Sequence, residues 1–226
     1  MSCYYQGCPR SGTTKEHIPP KSFFPKDQRN QLLTVKWCEL HNIKKSSDDI
    51  YVLAQICMNA SPSNRSREVW KQSVLPQLGY SGEALRKTLA NNAIPLPSAA
   101  VMYKVDTARF DGFFNALSYG VVFKACGERL PAQYCIGHVY HSFRDPGETP
   151  EEKEFKKSLL SSYSGEPMAV LEFGRVHALN TSVYSVKVFG IAGFRSSITI
   201  VHDFFGVFRV TSMLTRQIDY PARPHV

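Results

Sequence analysis

Cys3-Tyr4-Tyr5-Gln6-Gly7-Cys8, Lys15-Glu16-His17-Ile18-Pro19 and Cys38-Glu39-Leu40-His41-Asn42 all fall within the first 42 residues of a 226-residue chain. Cys3, Cys8, Cys38 and His41 form two short pairs, C-x4-C and C-x2-H, the spacing at which a chain presents ligands to a tetrahedral zinc ion. Each pair must close a tight knuckle whose two donors converge. The roughly thirty residues between the knuckles are enough for a hairpin that returns the chain to the metal. Zinc would then staple a segment with little core of its own. The rival is a disulfide framework, which needs an oxidising compartment. With no secretory segment ahead of Cys3, zinc is the expectation.

Between the knuckles lies Lys15-Glu16-His17-Ile18-Pro19-Pro20-Lys21-Ser22-Phe23-Phe24, followed by Asn30-Gln31-Leu32-Leu33-Thr34-Val35 and, past the second knuckle, Lys44 and Lys45. A cysteine knuckle, an acidic residue before His-Ile-x-Pro, the leucine-rich stretch and then Cys-x2-His-Asn with lysine soon after resemble the HNH endonucleases and their ββα-metal hairpin. The resemblance covers about residues 1–60. It implies a metal-dependent endonuclease cutting DNA, duplex ahead of RNA, and leaving 5′ phosphates. It also implies that the acidic residue beside the base and the asparagine on the helix, here Glu16 and Asn42, hold the catalytic ion. The middle asparagine of the family falls on Asn30, one residue early by register, with Gln31 at the expected place; a glutamine amide can make the same loop hydrogen bonds.

The chemistry accounts for these residue types on its own terms. A phosphodiester repels nucleophiles and releases a poor leaving group, so hydrolysis needs an activated water and a cation at the phosphate. A histidine with an ordinary pKa of about 6.5 is substantially neutral at physiological pH and can accept the water proton, which makes His17 the candidate base. Mg²⁺ or Mn²⁺ needs few protein ligands, and one carboxylate with one amide oxygen suffices. Lys15, Lys21, Lys44 and Lys45 are candidate phosphate contacts. Each has a plainer reading: Asn42 as a helix cap, the lysines as a solvated face, Glu16 as a surface carboxylate.

Net charge is +8 with a pI near 9.2, which favours a polyanionic partner. Residues 1–75 carry eleven Lys and Arg against six Asp and Glu, so the excess is concentrated on the knuckle segment. A 43% apolar, 12% aromatic composition is that of a folded globular protein. No apolar run reaches the roughly 18 residues needed to cross a bilayer, so a cytoplasmic protein without a membrane partner is expected. Cys126 and Cys135 lie in apolar contexts and read as buried free thiols.

Beyond the knuckles, Ser46 with Asp49 three residues later reads as a helix start, and a linker over 59–66 leads to a helix over 67–75 that Pro76 ends. Another helix runs over 82–92 behind Ser81. Asp106 caps a longer apolar helix that carries Phe110, Phe113, Phe114, Leu117, Val121 and Val122 and closes at Gly127. Strands are expected over 100–105 and 133–142. Thr149-Pro150-Glu151-Glu152 starts a helix. Further strands are expected over 168–176, 183–190, 196–202 and 206–212. His138, His141, His177 and His202 lack ligand-like spacing, so a second metal site is not expected.

The chain therefore reads as α+β: a zinc-stapled ββα-metal nuclease domain over 1–60, a helical linker region over 61–95, and an α+β C-terminal domain over 96–226 with an antiparallel sheet. That last region would support the nuclease, form a homodimer or bind a partner protein. Bacterial anti-phage defence or a mobile element is the setting the resemblance suggests. The alternative is a zinc-dependent nucleic-acid-binding or interaction module that does not cleave.

Overall fold

The computed structural model describes residues 2–30, 32–43, 46–97, 101–143, 145, 147–163, 167–171 and 178–216. Helices and sheets are mixed, as the residue patterns predict. Strands β1 (Thr14–His17) and β2 (Thr34–Trp37) form an antiparallel hairpin with Glu16 opposite Val35 and His17 opposite Thr34. Helix α1 (Glu39–Ile43) follows β2 directly, then α2 (Ser46–Asn59). The side chain of Ser46 lies outside the described residues.

Helix α3 (Asn64–Val69) begins earlier than the sequence suggests, because the Ser63 side chain accepts from the Ser66 N–H. Nor does Pro76 stop the helical path. A π-helical turn over Trp70–Val74 intervenes, with the Leu75 N–H bonded to the Trp70 carbonyl, and α4 (Leu75–Leu78) continues. Proline lacks an N–H and crowds the carbonyl four residues back; the wider turn accommodates both. Ahead of α5 (Ala84–Asn91), Ser81 does not cap. It sits at φ 51° in a short 3-10 turn, and Glu83 occupies the cap position at φ 61°. Pro95 lies within β3 (Ala93–Pro95), which pairs antiparallel with β4 (Val101–Tyr103).

Helix α6 (Thr107–Cys126) has the predicted boundaries: the Asp106 carboxylate accepts the Arg109 N–H and Gly127 ends it at φ 75°. Its residues 116–122 are buried on every side because it is sandwiched between the hairpin and the C-terminal sheet. Toward the hairpin, the Tyr4 hydroxyl donates to the Ala116 carbonyl at 3.2 Å and Gly120 lies under Ile18. Toward the sheet, Phe114 stacks edge-on against His202 and Phe204. The aromatic stripe is thus core.

The sheet is built from β5 (Tyr134–Tyr140), β6 (Ala169–Leu171), β7 (Tyr184–Phe189), β8 (Ile198–Phe204) and β9 (Phe208–Arg216) in the order β5-β9-β8-β7-β6, all antiparallel. Helix α7 (Pro150–Ser162) carries the expected capping box between Thr149 and Glu152, and α8 (Ala178–Thr181) precedes β7. Cys57 is buried on α2, whereas Cys126 and Cys135, both expected to be buried, are half-buried and exposed respectively. Strand alternation explains the last: Tyr134 takes the core face of β5, which turns its neighbour outward.

Candidate metal centre and adjoining polar site

The first knuckle is shaped by local turns. The Cys8 N–H bonds the Tyr5 carbonyl across Gly7, which sits at φ 68°, and the Cys3 N–H bonds the Arg10 carbonyl. Tyr4 then ties this segment to β2 through the Lys36 carbonyl. The second knuckle is the turn from β2 into α1, where Cys38 precedes the helix and His41 lies on it.

The ligand atoms of Cys3, Cys8, Cys38 and His41 all lie within 4.8 Å of one another. The Cys8 and Cys38 sulfurs are 3.9 Å apart; the His41 Nδ1 is 3.6 Å from the Cys3 sulfur and 3.2 Å from that of Cys38. Tetrahedral coordination with Zn–S near 2.3 Å and Zn–N near 2.0 Å requires edges of roughly 3.8 Å between sulfurs and roughly 3.5 Å from sulfur to nitrogen. The group can therefore hold a metal ion such as zinc, and no pair of sulfurs is near the roughly 2.05 Å of a disulfide. Burial pushes the Cys3 thiol up to about 11. A bound cation would be needed to hold it as thiolate. Tyr5 stacks on the His41 ring with centroids 4.1 Å apart, fixing the imidazole plane.

Residues far along the chain complete this shell. Arg129 donates to the Cys8 and Cys3 carbonyls, the Gln6 amide donates to the Pro131 and Tyr134 carbonyls, and the Tyr119 hydroxyl donates to the Gln6 side-chain oxygen. Sequence reasoning missed all of these, since nothing local marks a contact across more than a hundred residues.

Glu16 and His17 end β1 and point to opposite faces by strand alternation. Glu16 shares its face with Val35 and Trp37. His17 shares the other with Thr34, Lys15 and Lys36, and the two lysines are directly opposite each other. A like-charged cross-strand pair is unfavourable unless an anion lies over it. Lys36 was not singled out from the sequence, although the hairpin register could have found it. The His17 imidazole is held below its usual value, first by burial and then by the Lys21 ammonium, with Glu16 opposing. The neutral, proton-accepting form therefore prevails at neutral pH.

Asn42 lies on α1, immediately after the cluster residue His41; its side chain lies outside the described residues, as do Gln31, Lys44, Lys45 and His177. Asn30 is described and exposed, in the turn before β2. Asp49, read from the sequence as a helix-start carboxylate, is only 9% exposed. Burial raises the Tyr4 phenol well above its ordinary range, with the Glu16 and Asp49 carboxylates adding to the effect. The remaining histidines are engaged elsewhere: His138 with Ser212 and Asn115, His141 with Thr211, His202 with Tyr184 and Ser118. Among the described residues, the Cys3/Cys8/Cys38/His41 group is the one metal-ligating cluster.

No helix among the described residues is long and apolar enough to cross a membrane. No family model matches the chain, and no solved structure matches it. The chain is 28% identical over 150 residues to the non-structural polyprotein pORF1 of hepatitis E virus genotype 1, in both the Burma and Myanmar isolates. The match takes in 64% of this chain and about 9% of each polyprotein. What the comparisons leave standing is an α+β chain whose N-terminal Cys/His group can hold a metal ion.

Proposed function

We propose that the chain is a metal-dependent endonuclease of the HNH kind, hydrolysing phosphodiester bonds in DNA. One observation carries the reading. A hairpin ending in Glu16-His17 is joined directly to a short helix bearing Asn42, and the two are pinned together by a Cys/His cluster. In this reading a zinc ion on Cys3, Cys8, Cys38 and His41 is structural, holding α1 against the hairpin.

His17 accepts the proton of the attacking water on a ring nitrogen; its depressed basicity keeps that nitrogen free of a proton at neutral pH. Lys15 and Lys36 hold the phosphate backbone over the His17 face. Glu16 and Asn42 supply the carboxylate and amide that would hold Mg²⁺ or Mn²⁺. Such an ion, when bound, neutralises charge on the pentacovalent phosphorus and the departing 3′ oxygen. Bacterial anti-phage defence or a mobile element, in the cytoplasm, is the setting proposed, with the C-terminal sheet as the surface for a homodimer or partner protein.

Supercoiled plasmid incubated with Mg²⁺ or Mn²⁺ tests this. Wild type should nick and linearise it, and His17→Ala should be slower by about 100-fold or more. Undiminished cutting by that variant would remove His17 as the base. The second reading, a binding module without cleavage, is favoured by the exposed position of Asn30, the candidate for the family's loop-ordering amide. It predicts DNA binding with no cutting under either metal.

A further inference from the structure

Beside the hairpin, a cleft of about 740 Å³ opens between the 3-10 turn that follows β1 and the π turn between α3 and α4. It begins at Ser22, five residues past His17. Two cations from the Lys26–Arg29 turn reach it, and the wide π turn supplies the opposing polar wall. The Lys26 backbone N–H donates to the Gln72 side-chain oxygen at 2.8 Å, and the Arg29 guanidinium donates to the Ser73 hydroxyl at 3.2 Å and to the Phe24 carbonyl at 3.0 Å.

Arg29 is thus anchored at two points, and both partners are neutral. No carboxylate lies within ion-pair distance of it among the described residues, although it is half-buried and partly stripped of water. A desolvated cation held without a counter-charge is unfavourable unless an anion completes the site. Arg109 adds a third cation to the wall, shared at 3.4 Å with Asp48 and Asp106, and Asp49 contributes one carboxylate. At the rim stands Tyr80, 69% exposed, an aromatic face open to stacking. The volume lies within the roughly 300–1,000 Å³ usual for ligand sites.

We propose that this cleft is a nucleotide site in which Arg29 and Lys26 take a phosphate and Tyr80 stacks on a base. It deepens the nuclease reading, on which it rests for the source of the ligand: an unpaired stretch of the substrate strand, led past Ser22 toward His17. A phosphate bonded by a fixed guanidinium gives a strong, charge-assisted contact, and base stacking on an aromatic side chain tolerates any sequence.

The test is binding of a fluorescein-labelled ten-residue oligothymidylate, followed by anisotropy. It uses the full chain carrying His17→Ala, with neither added divalent ion nor chelator. Arg29→Gln in that background should weaken binding tenfold or more, and Tyr80→Ala about fivefold or more. Lys153→Gln, an exposed cation on α7, should change it less than twofold. Tyr80→Ala touches an exposed side chain, so it decides the matter if Arg29→Gln perturbs the fold. Competition by thymidine 5′-monophosphate identifies the source: failure to compete upholds a strand site, and effective competition upholds the site with a free nucleotide as its ligand. No binding, or equal binding by all three variants, overturns the proposal. Plasmid cutting by wild type in that event leaves the nuclease reading intact. Binding through the cleft with no cutting under Mg²⁺ or Mn²⁺ sinks the nuclease and keeps the cleft.

Discussion

The Arg129 guanidinium donates to the Cys8 carbonyl at 3.1 Å and reaches that of Cys3 at 3.4 Å, clamping the first knuckle from the loop after α6. Hydrogen bonds of this kind contribute about 1 kcal/mol each, more with a charged donor. Arg129→Ala should therefore lower stability by about 1–2 kcal/mol. Zinc release to a colorimetric chelator should be at least threefold faster. Unchanged release kinetics would show that the knuckle holds its shape without the clamp.

Cys38 follows β2 and contacts both Cys8 and His41, so its loss leaves three ligands spread over two knuckles. Because metal binding at such sites is folding free energy, Cys38→Ser should abolish stoichiometric zinc in elemental analysis. The melting midpoint should fall by on the order of 10 °C. Full zinc content in the variant would refute the four-ligand assignment.

A Cβ on Gly120 would lie 2.8 Å from the Ile18 Cγ2, inside van der Waals contact. Gly120→Ala should lower stability by about 1–3 kcal/mol in urea unfolding, the usual range for overpacking. In an Ile18→Ala background, where that methyl is absent, the penalty should largely vanish. Equal penalties in both backgrounds would show that α6 and the segment after β1 are not in the contact described.

His138 and His141 are both lowered to about 4, by burial first, and burial holds His202 well below its ordinary value. In the unfolded chain each takes up a proton near pH 6.5. Between about pH 6.5 and pH 4 the unfolded state thus binds more protons, and stability falls as pH falls. Above that window the histidines are neutral in both states and contribute no pH dependence. Urea midpoints across pH 4–7 should show the loss, and His138→Gln with His141→Gln should flatten it. An unaltered slope in the double variant would assign the acid sensitivity to other groups.

The parts legible in the sequence were those whose physics is local. The two knuckles are read directly because ligand spacing within each is set by a single turn. The cap of α6 at Asp106, its end at Gly127 and the capping box at Thr149 involve hydrogen bonds spanning three or four residues. The C-terminal strands follow from period-two burial, as β7 shows. Pro76 misled because proline's effect on a helix depends on whether the preceding turn widens, and here it does.

By itself, then, the sequence determined the α+β pattern, the metal-ligand quartet and the Glu16-His17 pair, all carried by neighbours along the chain. Only tertiary structure decided that Arg129 clamps the cysteine knuckle and that Arg29 meets Ser73 across a polar cleft. Those relations join residues some 40 to 120 positions apart. They exist because one shared core packs distant segments together, and no local propensity encodes that meeting.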